Sequence, residues 1–220
     1  MKPLVIFGAG DIAELARFYF IQDTHREVVA FTVDGAFVRA TSFAGLPLVP
    51  FERITEAYPP GDVDIFVAVS YAKINALRAQ KVRESRDKGY ALASYVSSRA
   101  TTWPGLEVGD NCFILEDNTI QPFARIGSNV TLWSGNHIGH HATIGDNCFI
   151  TSHVVISGGV VVGDGTFIGV NATIRDHVTI GKQCVIGAGS LILQDAADFS
   201  LYTTPAAELS KVPSTRLRKI

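Results

Sequence analysis

The chain is short of charge. Of its 220 residues, 18% are Asp, Glu, Lys or Arg, and the formal net charge is −2. Without a basic excess it is not expected to grip a phosphate backbone, which excludes the nucleic-acid binders. No run approaches the roughly 18 apolar residues of a membrane-spanning helix. The opening MKPLVIFGAG has no cleavable apolar stretch with a small-residue site, so a cytoplasmic protein is expected. Cysteine is also scarce: three residues, an odd number, do not suggest a disulfide framework. Apolar residues are plentiful at 47%, enough for a sizeable core and too many for a disordered chain.

The pattern of those apolar residues is a repeat. Stepping in sixes from Val108 to Ile192 meets fifteen positions, all Val, Leu or Ile. An α-helix rotates by about 240° over six residues and cannot keep them on one face, and a flat strand has period two. A turn must therefore recur in every hexad. Gly often follows the aliphatic, small residues such as Cys112, Ala142 and Cys184 precede the next one, and GDNCFI occurs verbatim at 109–114 and 145–150. This is the hexapeptide signature of a parallel β-helix. Three faces per coil make five stacked coils. Cys112, Cys148 and Cys184 are 36 residues apart, two coils each, and read as small buried fillers. Nine charged residues between 108 and 193 leave the prism so bare that one wall is expected to meet a neighbouring copy.

The first hundred residues read differently. LVIF is a strand, a helix starts at Asp11, and EVVAFTV (27–33) is a second strand. DIFVAV (64–69) and YALASYV (90–96) read as third and fourth strands, with a charged helix over 71–88 between them. Alternating elements imply a small parallel sheet flanked by helices, a Rossmann-like domain over 1–96, with the β-helix and its tail over 97–220. Gly8 and Gly10, with Ala13, fit the G-x-G-x-x-A turn that lets phosphates approach a helix N-terminus, or else simply make a tight turn. The domain is short for a dinucleotide and suits a single nucleotide better. Asp34, at the end of the second strand, is placed to accept from a ribose hydroxyl or base N–H, or is a solvated turn residue.

Five of the six histidines fall in the prism, three of them within WSGNHIGHHATIG. His140 and His141 sit at the corner of one hexad, and eighteen residues on, one coil away, stand Gly158 and Gly159. An imidazole beside an open shelf with exposed backbone N–H groups offers a base and an oxyanion donor, the two needs of acyl transfer. Exposed turn histidines beside turn glycines are the plainer reading.

With these residues in view, positions 1–210 resemble the bacterial sugar O-/N-acyltransferase family that includes sialic acid O-acetyltransferases and the bacillosamine N-acetyltransferase. The likeness rests on the Gly-rich turn, the hexad array and IGHHATIG, where the family typically has I-x-H-x-x-x-I-G. It implies a left-handed β-helix and an acetyl-CoA-dependent homotrimer with active sites between subunits, acting on the amino or hydroxyl group of a nucleotide-linked sugar for a surface glycan. It further implies His140 as general base, Gly158 as oxyanion donor, and acetyl-CoA along a groove past Gly187, Ala188, Gly189 and Pro205. The nucleotide would rest on Gly8, Gly10, Asp34 and Lys73. His137 and His153 are further substrate-side candidates, the latter across a subunit interface, and the basic tail KVPSTRLRKI is either solvated or meets the CoA phosphates.

Three positions depart from the family. His141 stands where an acidic residue often partners the base, Ile12 where many members have a histidine, and Thr203-Thr204-Pro205-Ala206 keeps only the second half of a G-x-P-A element. Two other readings use the same features. A γ-class carbonic anhydrase would place zinc on three histidines of a prism; His141 and His177 have the first spacing, 36, but Lys182 stands where the third ligand should be. No metal is therefore expected. The other is a non-catalytic nucleotide-sugar-binding trimer.

Overall fold

The computed structural model describes residues 1–216. Its first part is built on β1 (Leu4–Phe7), α1 (Asp11–Thr24) and β2 (Val28–Val33). All four residues of β1 are buried, as expected of a central parallel strand covered on both faces. Asp11 and Glu14 place negative charge in the first turn of α1, where the helix dipole favours it. A short hairpin of β3 (Ser42–Phe43) and β4 (Leu46–Pro50), a one-turn α2 (Ile54–Ala57), β5 (Asp64–Val67) and α3 (Ala76–Asp87) follow. The sheet order is β3-β4-β2-β1-β5, parallel apart from the β3–β4 hairpin.

Two elements differ from the sequence expectation. The charged helix begins at Ala76 rather than at 71, because 71–75 forms a turn of its own. YALASYV does not complete the Rossmann-like sheet: Leu92 makes one bridge to Ile65, and the strand proper, β6 (Tyr95–Val96), pairs with the prism.

The prism follows the repeat. Fifteen two-residue strands run from β7 (Glu107–Val108) through β8 (Phe113–Ile114) to β21 (Leu191–Ile192), and each ends on one of the fifteen aliphatic positions. Strands stack on partners eighteen residues away, as in Arg125↔Thr143 and His137↔Val155. They form three sheets, one face of a left-handed coil each, and the last strand, β22 (Leu201–Tyr202), extends one of them. The aliphatics and the three cysteines line the interior.

The corners explain the wealth of Asn and His. The second corner residue is left-handed in coil after coil, with φ of 55° at Asn111, 58° at Asn129 and His141, 62° at Asn147 and 58° at His153. Asn and His tolerate that conformation better than most side chains. The corner asparagines also bond to one another up the prism, Asn111 to Asn129 at 2.9 Å and Asn129 to Asn147 at 2.8 Å.

The two parts share a core. Phe113 and Leu115 point outward from the prism into a cluster with Phe20, Phe66 and Tyr95. Around it, Tyr19 donates to Glu116 at 2.7 Å, and Asp23 accepts from Tyr95 at 2.7 Å and from the backbone N–H of Ser98 at 2.9 Å.

Candidate active site

His140 is the first of two corner residues between the strands at 137–138 and 143–144, and its ring is exposed. Its backbone N–H donates to Gln121 Oε1 at 2.9 Å, and its carbonyl accepts from Gly159 at 2.8 Å. The imidazole lies over Gly158: a Cβ there would sit 2.7 Å from both Cε1 and Nε2. The shelf expected beside His140 is thus occupied by the histidine's own ring edge, and only glycine admits it. The carbonyl of Gly158 accepts from His177, and among the described residues its N–H has no backbone acceptor. An imidazole nitrogen thus neighbours a glycine whose N–H has no acceptor among the described residues, and a base and an oxyanion donor are the two groups acyl transfer needs.

His141 adjoins His140 by an unusual contact. The two Nδ1 atoms are 3.1 Å apart with the rings nearly perpendicular, and the His141 ring lies against Phe123 with centroids 4.8 Å apart. One Nδ1 must carry the proton of that contact and the other accept it.

The other candidates are divided between this edge and the preceding one. His177 stacks two coils from His141, its ring over Gly159. His153 stands on the preceding corner, its ring over Gly135, and the turn Gly187-Ala188-Gly189 closes the same corner two coils on. There Thr204 donates to the Ala188 carbonyl at 2.6 Å, and Ala188, Gly189 and Pro205 are exposed. His137, half-buried, faces out from the sheet between these two corners. Within one protomer, His140 and the Gly187–Gly189 turn therefore sit on different edges of the prism.

The nucleotide-side candidates are in the first part. Gly8 has φ of 136°, and a Cβ would meet the Ala68 carbonyl oxygen at 2.8 Å, so glycine is demanded by packing. Gly10 precedes α1 with open space where a Cβ would stand, at a helix start whose first amides lack intrahelical partners. Asp34 Oδ1 bonds the Lys81 ammonium at 2.6 Å, and Lys81 also reaches Glu84 at 2.7 Å. Burial works to lower Lys81, but the two carboxylates prevail and hold it above its ordinary value. Among the described residues Asp34 Oδ2 has no hydrogen-bond partner, and Asp34 lines an open cavity of about 520 Å³ with Phe51, Glu52 and Lys88. Lys73 is exposed in the turn before α3.

A second cavity, about 220 Å³, lies between the two parts. Ile12 and Tyr71 line it from one side, Trp133, Phe149, Ser152 and Val170 from the other. It opens on the edge that carries His153. Tyr71 and Trp133 escaped the sequence reading, as did the buried Asn75 and Arg78 behind them. Among the described residues, no group of three or more His, Cys, Asp or Glu side chains is placed to hold a metal ion.

Residues 123–158 and 159–194 match the family model for the bacterial transferase hexapeptide (six repeats). A search of curated proteins finds no match. Among solved structures, a histidine-to-asparagine variant of perosamine N-acetyltransferase from Caulobacter crescentus, in complex with CoA and GDP-perosamine, is 26% identical. It covers 91% of this chain and 93% of its own, with a TM-score of 0.82. PerB from the same organism, also with CoA and GDP-perosamine, has a TM-score of 0.81 at 25% identity over the same shares. The acetyltransferase domain of PglB from Neisseria gonorrhoeae, in complex with acetyl coenzyme A, shares the fold at 21% identity, with a TM-score of 0.81 over 94% of this chain and 99% of that one. By its six-residue repeat over 123–194, its two-part fold and its likeness to these enzymes along nearly its whole length, the chain is similar to the hexapeptide-repeat bacterial sugar acetyltransferases.

Proposed function

We propose that this enzyme transfers an acetyl group from acetyl-CoA to the amino or hydroxyl group of a nucleotide-linked sugar on its way to a surface glycan. The observation that carries the reading is the His140 imidazole lying over Gly158, whose N–H is open. His140 Nε2 takes the proton of the attacking group as its nitrogen or oxygen bonds to the thioester carbon. The Gly158 N–H faces the carbonyl oxygen as it becomes an oxyanion. His140 then returns the proton to the departing thiolate. His141 takes the place of the acidic residue that partners the base in relatives.

The acceptor side follows from the first part. Gly10 at the start of α1 receives phosphate, Asp34 Oδ2 receives a ribose hydroxyl or base N–H, and Lys73 reaches toward the diphosphate. The sugar then lies in the cavity between Ile12, Tyr71 and Trp133, where Ile12 offers it an apolar contact. That cavity and His140 are on different edges of one prism, so a second copy completes the site. The wall between the two edges presents Thr119, His137, Val155, Thr173 and Leu191 and carries no carboxylate or ammonium, which suits burial against that neighbour in a homotrimer. His137 and His153 then lie beside the shared site, and acetyl-CoA runs along the groove past Gly187, Ala188, Gly189 and Pro205. Of the basic tail, residues 217–220 lie outside the described residues.

The test is turnover with acetyl-CoA and a panel of nucleotide-linked amino sugars. His140→Ala should lower kcat by at least about 100-fold, the scale of general-base catalysis, while light scattering shows an unchanged assembly. Near-normal turnover in that variant would remove His140 from the role.

A further inference from the structure

The segment before α3 is wound the wrong way. Lys73, Ile74 and Asn75 have φ of 54°, 50° and 65°, three consecutive left-handed residues without a glycine. The turn closes on itself through Asn75 N–H to the Tyr71 carbonyl at 3.2 Å and Ala76 N–H to the Lys73 carbonyl at 3.2 Å. Side chains other than glycine resist this conformation, and such strain persists only where the surroundings over-determine it.

The surroundings here are two side chains sunk into the prism. Asn75, 1% exposed, donates through Nδ2 to the Gly165 carbonyl at 2.9 Å. Arg78, 2% exposed, donates to Asn129 Oδ1 and to the carbonyls of Asn129, Asn147 and Cys148 at 3.0–3.1 Å. Its remaining nitrogen reaches back to the Ser70 carbonyl at 3.4 Å and Asn75 Oδ1 at 3.3 Å, one at each end of the strained turn. Among the described residues Arg78 makes no ion pair. One guanidinium, held by neutral acceptors on two successive coils, thus ties down the turn, and Asn75 adds a third coil. The turn in turn presents the Tyr71 ring against Phe149 and Phe167, with centroids 5.1 and 5.0 Å apart, at the wall of the cavity between the two parts.

We propose that Arg78 and Asn75 are positioning residues: they hold the left-handed turn 71–75, and through it Ser70 and Tyr71, in place as the acceptor-side wall of the cavity. This rests on the acetyltransferase reading, and the test separates the two. In Asn75→Gly the left-handed backbone is relaxed while the bonds to the prism are lost, so the fold should survive. The KM for GDP-perosamine, used as the acceptor probe, should rise about tenfold with the KM for acetyl-CoA held within about twofold, the pattern of lost acceptor positioning. Ile74→Gly, which relaxes strain and leaves the anchors, should keep both KM values. An Asn75→Gly enzyme with an unchanged acceptor KM, or with both KM values and thermal stability failing together, would overturn the proposal. Hydrogen exchange of Arg78→Lys decides the anchor without any substrate. Exchange at 71–75 should quicken about tenfold while the prism amides stay protected, as local opening requires. No change at 71–75, or quickening throughout the prism, would refute the anchor. Wild-type inactivity toward every nucleotide-linked amino sugar would defeat the acetyltransferase reading and leave the exchange result standing.

Discussion

His140 and His141 meet through like atoms, and that contact decides which nitrogen is available for chemistry. If His140 Nδ1–H donates to His141 Nδ1, Nε2 of His140 is left with its lone pair toward Gly158 and serves as base. The opposite arrangement puts the proton on Nε2 and disables it. In the proposed mechanism His141 is the acceptor, as a carboxylate would be, but without a negative charge to stabilise the imidazolium. His141→Leu should lower kcat about tenfold or more, the scale on which losing a histidine's orienting partner is felt, with both KM values little changed. His141→Asp, which tolerates the left-handed φ of 58°, should restore turnover or exceed it. Full activity in the leucine variant would show that His140 is oriented by something else. Gly158 belongs to the same scale: its missing side chain is the room in which the His140 ring lies.

Among the elements, the repeat was legible in full, because a buried aliphatic every sixth residue has one physical solution. All fifteen positions end a strand. The hairpin was not legible: Leu46–Pro50 carries two prolines, which argue against a paired strand, yet it pairs with β2 on one side and with the two-residue β3 on the other. Tyr95 and Val96 read as the last strand of the first sheet because apolar pattern alone does not say which sheet a strand joins. His140 and Gly158 were readable from the spacing of eighteen, whereas Arg78 sits in a helix rich in charge and is indistinguishable by type from its solvated neighbours. The contacts joining the parts respond to acid. Hydrogen bonds from Ser98 and Tyr95 hold Asp23 below the usual carboxylate value. Burial works to raise Glu116, but Tyr19 and Ser134 prevail and hold it low, while burial and then Glu116 push Tyr19 up to about 12. A carboxylate lower in the folded state stabilises it above the unfolded pKa, near about 4, and that contribution is lost as pH falls through the folded value. The unfolding midpoint should thus drop below about pH 4, and less steeply in Glu116→Gln, by calorimetry across that range. Parallel curves for the two proteins would exclude Glu116 from the effect.

At the scale of the molecule, the shared cluster of Phe20, Phe66, Tyr95 and Phe113 makes one cooperative body of two dissimilar parts. The cysteines report on it. Cys112, Cys148 and Cys184 are wholly buried, and burial pushes the first two thiols to about 11 and about 12. Since the thiolate is the reactive form, a thiol reagent at neutral pH should label none of the three in the native protein and all three together on unfolding, by intact-mass measurement. Early labelling of Cys184 alone would show that the last coils open by themselves. The strand Tyr95–Val96, laid across the first coil on Phe113–Ile114, with Thr101 bridged to Thr119 beside it, has a consequence beyond joining the parts. A stack of parallel strands ends in a row of unpaired amides and carbonyls, a template on which another prism could grow. The linker that delivers the chain from one part to the other lies on two of the three faces of that row, so the segment that connects the parts also obstructs end-to-end polymerisation.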